Sequence, residues 1–324
     1  QSLELLLKAG IFQTITDNVD RKNIVGNIRH DLKQAYEKLI EVKGLSISDN
    51  ENGKWLMDYL SDISRIDRES DMFRYPFGNN LKVLFDRQTN ISLVATHDNM
   101  NKAFSIIKGI YDTGDILEQE IEAYEPHLII EGGHYYQQSV VGYKYSQHAF
   151  YPYYSSYEEV GNFLKGVIMA EKKANLFMPM CYLYRNAVEL GLKRLIIEDS
   201  HIGNSKALKI VRKKKHSILG LWNSIADEIK EYANAPEDDT TLNDSQRYIQ
   251  TFHNFDQSSD LFRYPCNKNM ELYFLDEKKF DIENVASCFE ELCNFLDGVD
   301  GMLSAVQDYE AEMAAEMASY YDYY

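Results

Sequence analysis

Asp67-Arg68-Glu69-Ser70-Asp71-Met72-Phe73-Arg74-Tyr75-Pro76 and Asp256-Gln257-Ser258-Ser259-Asp260-Leu261-Phe262-Arg263-Tyr264-Pro265 are one string written twice, 189 residues apart. The lead-ins match as well. Tyr59-Leu60-Ser61-Asp62-Ile63 precedes the first and Tyr248-Ile249-Gln250-Thr251-Phe252 the second. So many identities in register indicate an internal duplication, and the rest of the chain is read outward from it.

Upstream of the first string, Trp55–Ile66 sets Leu56, Tyr59, Leu60 and Ile63 on one face, the spacing of an amphipathic helix. Earlier, Leu3, Leu5, Leu6, Ile11 and Ile15 form a first apolar stripe. Ile24, Ile28, Leu32, Ala35, Tyr36 and Leu39 predict a second helix, capped by Asp20 or Asn23 and closed by Gly44. Downstream, Pro76 biases Tyr75 away from helical angles. Gly78-Asn79-Asn80 is turn chemistry, and Leu81–Phe85 reads as a short strand or extended segment. Asp98 is expected to cap a last helix bearing Met100, Ala103, Phe104, Ile107 and Ile110 and ending near Gly114.

Residues 115–157 change character. A short acidic helix is predicted over Ile116–Tyr124, followed by Tyr135, Tyr136, Tyr143, Tyr145, Tyr151, Tyr153, Tyr154 and Tyr157. So many aromatics argue for an ordered linker docked on its neighbours rather than for disorder. A base-stacking platform is the alternative, but Lys144 is the only cation there to accompany it. The second copy opens with a helix over about Glu158–Ala174 and another from about Pro179 through Tyr184, Val188, Gly191, Leu192 and Leu195. Laid on the first copy at an offset of 156, this pairs Arg29 with Arg185, Ala35 with Gly191 and Leu39-Ile40 with Leu195-Ile196. On that alignment the second copy holds 33 extra residues. They include the basic run Arg212-Lys213-Lys214-Lys215-His216, a helix over Ser217–Tyr232 and an acidic loop over Pro236–Asp244. Asp281 opens the last core helix, with Val285, Ala286, Phe289, Leu292, Phe295 and Leu296, and an acidic, Tyr-rich tail follows from Tyr309 to Tyr324.

Bulk properties narrow the class. At 324 residues and 44% apolar content the chain suits about two globular domains. A net charge of −17 argues against a general phosphate-binding surface and leaves room for a local basic patch. Cys181, Cys266, Cys288 and Cys293 show no Cys-x-x-Cys spacing and no His-rich company, so they read as reduced thiols, with no zinc site and no cofactor. No apolar run reaches the ~18 residues of a membrane span. Gln1–Gly10 lacks a basic n-region and a cleavage-like site, so a soluble, cytoplasmic protein is expected.

The second copy carries a recognisable order: Ala187-Val188-Glu189-Leu190-Gly191-Leu192-Lys193-Arg194-Leu195-Ile196, then Lys215-His216-Ser217-Ile218, then Arg263-Tyr264-Pro265, then a helix from Asp281. This resembles the HEPN superfamily (higher eukaryote and prokaryote nucleotide-binding domains). Bacterial members often read Ala-Leu-Lys-x-Leu-Leu, Gly-His-Asp-Leu, Arg-Tyr-Pro and a last helix. The resemblance covers about residues 160–305 and reaches residues 1–112 through the repeat. It implies helical bundles that commonly dimerise, often as ribonuclease toxins or effectors in toxin–antitoxin and antiviral systems. It also implies a catalytic Arg followed after four to six residues by His, with His as general acid or base and Arg stabilising the phosphorane.

That nuclease pattern is absent in both copies. After Arg263 the expected positions hold Lys268, Asn269 and Met270, and after Arg74 they hold Asn79, Asn80 and Leu81. Arg185-Asn186 is followed by Leu190, Gly191 and Leu192, and Arg29-His30 places its His too early. The candidate binding residues are Arg74, Arg263, Arg29, Arg185, Asn186, Arg212, Lys213, Lys214, Lys215 and His216. For Arg74 and Arg263 the plainer role is pairing with Asp67 or Asp71 and with Asp256 or Asp260. The other is phosphate binding in a groove. Arg185, Glu189 and Lys193, at i, i+4 and i+8, read first as an ion-pair ladder and second as the wall of a cleft. A contact of the acidic tail with Lys213–Lys215 is a further expectation.

The fold expected is all-α: two HEPN-like bundles as an intramolecular pseudo-dimer. Its divisions are 1–114, a Tyr-rich linker 115–157, 158–308 and a tail 309–324. The leading function is a non-catalytic binding or regulatory protein in a bacterial anti-phage defence or toxin–antitoxin setting. Its partner is another protein (toxin, antitoxin or defence partner) or RNA or a nucleotide, and no membrane. A divergent ribonuclease using Arg263, Arg185 and His216 is the first alternative, and an acidic protein-interaction scaffold the second. Oligomeric state is left open.

Overall fold

The computed structural model describes residues 1–78, 85, 87–142, 150–236, 238–276 and 278–321. The expected segment Leu81–Phe85, apart from Phe85 itself, and Tyr143, Lys144 and Tyr145 lie outside them. The described residues are predominantly helical, as the periodicities predict. They form two compact units, one of Gln1–Tyr145 with Cys266–Tyr273, the other of Ser146–Pro265 with Phe274–Tyr324.

In the first unit, α1 (Ser2–Thr14), α3 (Leu32–Lys43), α4 (Glu51–Ile66) and α5 (Leu93–Thr113) close around one core. It holds Leu3, Leu7, Ile11, Tyr36, Leu39, Leu56, Tyr59, Leu60, Ile106, Ile107 and Ile110. The predicted helix from Asp20 to Gly44 is instead two helices, α2 (Asn18–Ile28) and α3. Arg29 breaks it by adopting φ 52° and ψ −109°. Two aspartates then start the helices, since Asp17 accepts the N–H groups of Val19 and Asp20, and Asp31 that of Gln34. Ser92, not Asp98, caps α5 through the N–H of Ala95.

No helix forms over Ile116–Tyr124, and the reason lies in side chains reaching from the helices. Asn52 Nδ2 donates to the carbonyls of Leu117 (2.8 Å) and Gln119 (2.9 Å). Asn99 accepts the N–H of Tyr124 and donates to the carbonyl of Glu125. Trp55 Nε1 donates to the carbonyl of Tyr124, and Asp62 takes the N–H of Leu128. With several of its backbone groups bonded from outside, the segment is irregular and buries Ile116 and Leu128. A two-stranded antiparallel ribbon, β1 (Thr89–Ser92) and β2 (Gln138–Val141), pairs Ile91 with Ser139.

In the second unit, α6 (Tyr151–Glu171) starts inside the Tyr-rich stretch, with Pro152 in its first turn. It packs along α7 (Phe177–Arg194). A π-helical turn, Leu195–Asp199, extends α7, and α8 (Asn204–Lys214) follows. The helix predicted over Ser217–Tyr232 is broken into α9 (Ile218–Trp222) and α10 (Ala226–Ala233). Then come α11 (Thr241–Phe255) and α12 (Ile282–Tyr321), a single helix of 40 residues. The core stacks Phe252 on Phe289 (3.8 Å between ring centroids) and Phe289 on Tyr184 (5.5 Å).

Gly161 sets the α6–α7 spacing. A Cβ there would meet the Tyr184 ring at 3.1 Å, and that ring is pinned against Phe289. Gly166, one and a half turns on, has nothing within 4 Å. Gly161→Ala is therefore expected to destabilise by about 1–2 kcal/mol. Gly166→Ala should stabilise by up to about 1 kcal/mol, since it removes only the cost of glycine in a helix. Urea unfolding of the two variants distinguishes them. Equal effects would show that Gly161 does not set the spacing.

Candidate functional site

Of the candidate residues, the structure brings Arg185 and His216 together in a polar network inside the second unit, with Asn186 buried beside Arg185. On α7, Arg185, Asn186, Glu189 and Lys193 are all buried, among apolar neighbours Val188, Leu190 and Leu192. The i, i+4, i+8 ladder exists, but in the core rather than on a solvated face. The Arg185 side chain is 0% exposed. Its Nη1 pairs with Glu189 Oε2, its Nη2 donates to the carbonyl of His216, and its Nε stands 3.5 Å from Asp256 Oδ2. Lys193 Nζ lies 2.7 Å and His216 Nδ1 3.0 Å from Glu189 Oε1. Burial alone would raise the Glu189 pKa, but Lys193, His216 and Arg185 outweigh it and hold the carboxyl well below the usual range.

The repeated string supplies the next contact. Asp256 Oδ1 accepts the N–H groups of Asp260 (2.9 Å) and Leu261 (3.3 Å), while Ser259 takes φ 66°. Asp67 Oδ1 does the same for Asp71 (2.8 Å) and Met72 (3.0 Å), with Ser70 at φ 59°. The first aspartate of each string is thus a turn-former, an Asx-type cap on the loop after a helix. The arginines behave alike in the two copies. The Arg74 guanidinium lies 4.9 Å from the Tyr75 ring centroid and that of Arg263 5.0 Å from Tyr264, with Tyr182 at 5.6 Å on the second. Arg74 also donates to the Tyr75 hydroxyl (3.0 Å) and stands 3.8 Å from Asp71, one of its two expected partners. Asp256, expected to pair with Arg263, is instead the neighbour of Arg185.

The first unit contains the same arrangement, which sequence reasoning missed. Glu4 is buried on α1. Lys8 pairs with it across one turn, and His30 Nδ1 lies 3.2 Å from its Oε1. Lys8 Nζ donates to the carbonyl of Arg29 at 2.8 Å, where Arg185 serves that of His216 in the other unit. Burial raises the Glu4 pKa and the His30 hydrogen bond and Lys8 lower it, leaving it at about 2.

The equivalences are therefore Glu4 with Glu189, Lys8 with Lys193 and His30 with His216, 185 or 186 residues apart. Arg29 matches Lys215 rather than Arg185: the two share φ 52° and 51° and ψ −109° and −106°. The offset of 156 and the 33-residue insertion derived from it are wrong. The usable signal was Glu4-Leu5-Leu6-Leu7-Lys8 against Glu189-Leu190-Gly191-Leu192-Lys193, with Ile24-Val25 against Ile210-Val211.

Arg212, Lys213 and Lys215 are exposed on or just after α8, and Lys214 is half-buried. From Tyr309 to Tyr321 the tail continues α12 instead of turning back toward them, Glu310 Oε2 meets His201 Nε2 at 3.0 Å, and residues 322–324 lie outside the described residues. All four cysteines are free thiols, Cys181 and Cys293 buried. Among the described residues, no group of three His, Cys, Asp or Glu is placed to hold a metal ion, and no helix is long and apolar enough to cross a membrane. Chemically each network is a charge-balanced lock. Buried carboxylates, Glu4 in the first unit and Glu189 with Asp256 in the second, face the cations, and Glu4 and Glu189 each fix a histidine ring whose side chain is about a third exposed, 34% for His30 and 38% for His216. Comparisons with protein-family models, curated proteins and solved structures find no match.

Proposed function

We propose that the chain is a tandem HEPN-like, cytoplasmic protein that acts as a non-catalytic binding or regulatory module, in a bacterial anti-phage defence or toxin–antitoxin setting. One observation carries the non-catalytic part. Arg185 is the arginine whose Arg-Asn opening best fits a nuclease centre, and its guanidinium is committed in the core to Glu189, Asp256 and the His216 carbonyl. A group that must meet a scissile phosphate is poorly served by complete burial. The family order is supported in the first copy by Arg29-His30-Asp31-Leu32, which stands where Gly-His-Asp-Leu is expected.

The face offered to a ligand on this reading is α8. Lys206, Lys209, Arg212, Lys213, Lys214 and Lys215 follow one another with no acidic residue between Ser200 and Ala226. The equivalent α2 builds the same helix and the same break with Asn23, Gly26, Asn27 and Ile28 at four of those places. The fold therefore does not need the cations, and a phosphate-bearing or acidic partner gives them a use.

Purified chain incubated with labelled RNA across pH 5–9 is expected to leave the RNA intact. Lys209→Glu/Arg212→Glu/Lys213→Glu is expected to weaken its retention at low salt at least tenfold. Cleavage that His216→Ala abolishes would reverse the reading in favour of the divergent ribonuclease.

A further inference from the structure

Within the body of the second unit, the neighbouring helices and loops supply partners for several acids of α12. Lys165 on α6 meets Glu290 at 2.8 Å, and the Tyr248 hydroxyl on α11 donates to Glu291 at 2.9 Å. Arg194 on α7 meets Asp300 at 2.7 Å, and His201 meets Glu310. The helix cannot supply such partners itself, since no Lys or Arg follows Lys279 in the sequence. Its apolar seam runs Leu296, Val299, Leu303 in the core and continues through Val306 to Tyr309, Met313 and Met317. That is a repeat of three or four residues, the seam of a helix made to pack on another helix.

Beyond Gln307 the packing stops and the pattern does not. Tyr309 is 63% exposed, Met313 40% and Met317 63%. Asp308, Glu312 and Glu316 line one edge of this stripe at i, i+4 and i+8, and among the described residues no ion pair reaches them. Like charges at that spacing oppose a helix, and acids near a C-terminal end also oppose its dipole. Residues 308–319 are exposed throughout, and a stretch of about 12 residues is marginal as a helix without packing. Both deficits are met by one kind of occupant.

We propose that the exposed end of α12 is a docking surface for a cationic amphipathic helix of another protein. The partner's apolar face would cover Tyr309, Met313 and Met317, and its Lys or Arg residues would flank the seam against Asp308, Glu312 and Glu316. A second copy of this chain is the poorer occupant, because it sets the same uncompensated acids against each other. The inference rests on α12 alone and does not depend on the HEPN-like reading.

The test uses the full chain and two synthetic 21-residue amphipathic peptides, each with leucines on one face, flanked by Lys and Arg in one and by Glu in the other. Fluorescence anisotropy in physiological salt is expected to show the cationic peptide bound at least tenfold tighter than the anionic one. Met313→Ser/Met317→Ser should weaken it tenfold or more. Asp308→Lys/Glu312→Lys/Glu316→Lys should invert the preference. Cationic-peptide binding unchanged in both variants would place it on the generally acidic surface and overturn the proposal. So would a dimer in analytical ultracentrifugation that Met313→Ser/Met317→Ser dissolves.

Discussion

Replacing Glu189 with glutamine is expected to cost the second unit about 3–5 kcal/mol, the range for removing one partner of a buried ion pair. The substitution keeps volume and an acceptor oxygen but removes the charge that Arg185 and Lys193 share, leaving Asp256, at 3.5 Å from Arg185 Nε, to face Arg185. Neither cation has an easy way out. Arg185 is wholly enclosed and anchored to the His216 carbonyl, and Lys193 is 8% exposed. Glu4→Gln, the equivalent change, should cost less, because His30 is a third exposed and can rehydrate.

The two tryptophans make the comparison clean, since Trp55 lies in the first unit and Trp222 in the second. On a Trp55→Phe background, fluorescence during urea unfolding reports the second unit, and on Trp222→Phe the first. If Glu189→Gln leaves the Trp222 transition where it was, the network is not a lock. The pH sign follows from the depressed carboxyls. Their stabilisation is complete above the ordinary value of 4.5 and is lost as pH falls, for Glu4 toward about 2.

The helical class was legible because burial and period agree. In α4, Leu56, Tyr59, Leu60 and Ile63 are the very residues that enter the core. The repeated string was legible because its side chains act locally: Asp67 and Asp256 cap their own turns. What failed were readings in which a side chain serves distant backbone. Asn52 and Asn99 hold residues 117–127 out of a helix, and nothing within 116–124 announces that its hydrogen bonds are taken from outside. The repeat was misaligned because Arg29 and Arg185 each stand six residues before a small residue, Ala35 or Gly191, and ten before a Leu-Ile pair, while the shorter Glu-Leu-x-Leu-Lys match lay closer to the right register. The candidate site failed for a related reason. A ladder at i, i+4, i+8 has the same spacing on a wet face as in a core, and only the apolar Ala187, Val188, Leu190 and Leu192 between its members mark which it is. The continuation of α12 was hidden because an acidic, Tyr-rich tail looks like a solvated end. Its seam shows only when Leu296 is known to begin the register.

Asp199→Asn is expected to stabilise the protein at pH 9 and to flatten its pH profile. The π-helical turn after α7 carries Asp199 into the core, at 2% exposure, beside Asp300 on α12. Burial, a hydrogen bond to Asp300 and the charges of Asp300 and Glu198 push its carboxyl up to about 8, against the pull of Arg194. Arg194 cannot satisfy them all: it lies 2.7 Å from Asp300 but 3.6 Å from Glu198 and 4.0 Å from Asp199. Below about pH 4 the carboxyl is protonated in both states and contributes no slope. Between about 4 and about 8 the unfolded chain has released the proton and the native state has kept it, so stability falls as pH rises. Above about 8 the native state ionises as well and the cost levels off. At about 1.4 kcal/mol per unit the full window would give about 6 kcal/mol. The neighbouring cation and the sharing of the proton with Asp300 reduce this to about 2–4 kcal/mol. An asparagine supplies the hydrogen bond of the protonated acid with no charge to release. Urea midpoints at pH 5, 7 and 9, read at Trp222 on the Trp55→Phe background, should fall steadily for the parent and hold nearly level for Asp199→Asn. Parallel lines for the two proteins would mean that the carboxyl is ionised throughout, and that Arg194 is strong enough to hold three acids at once.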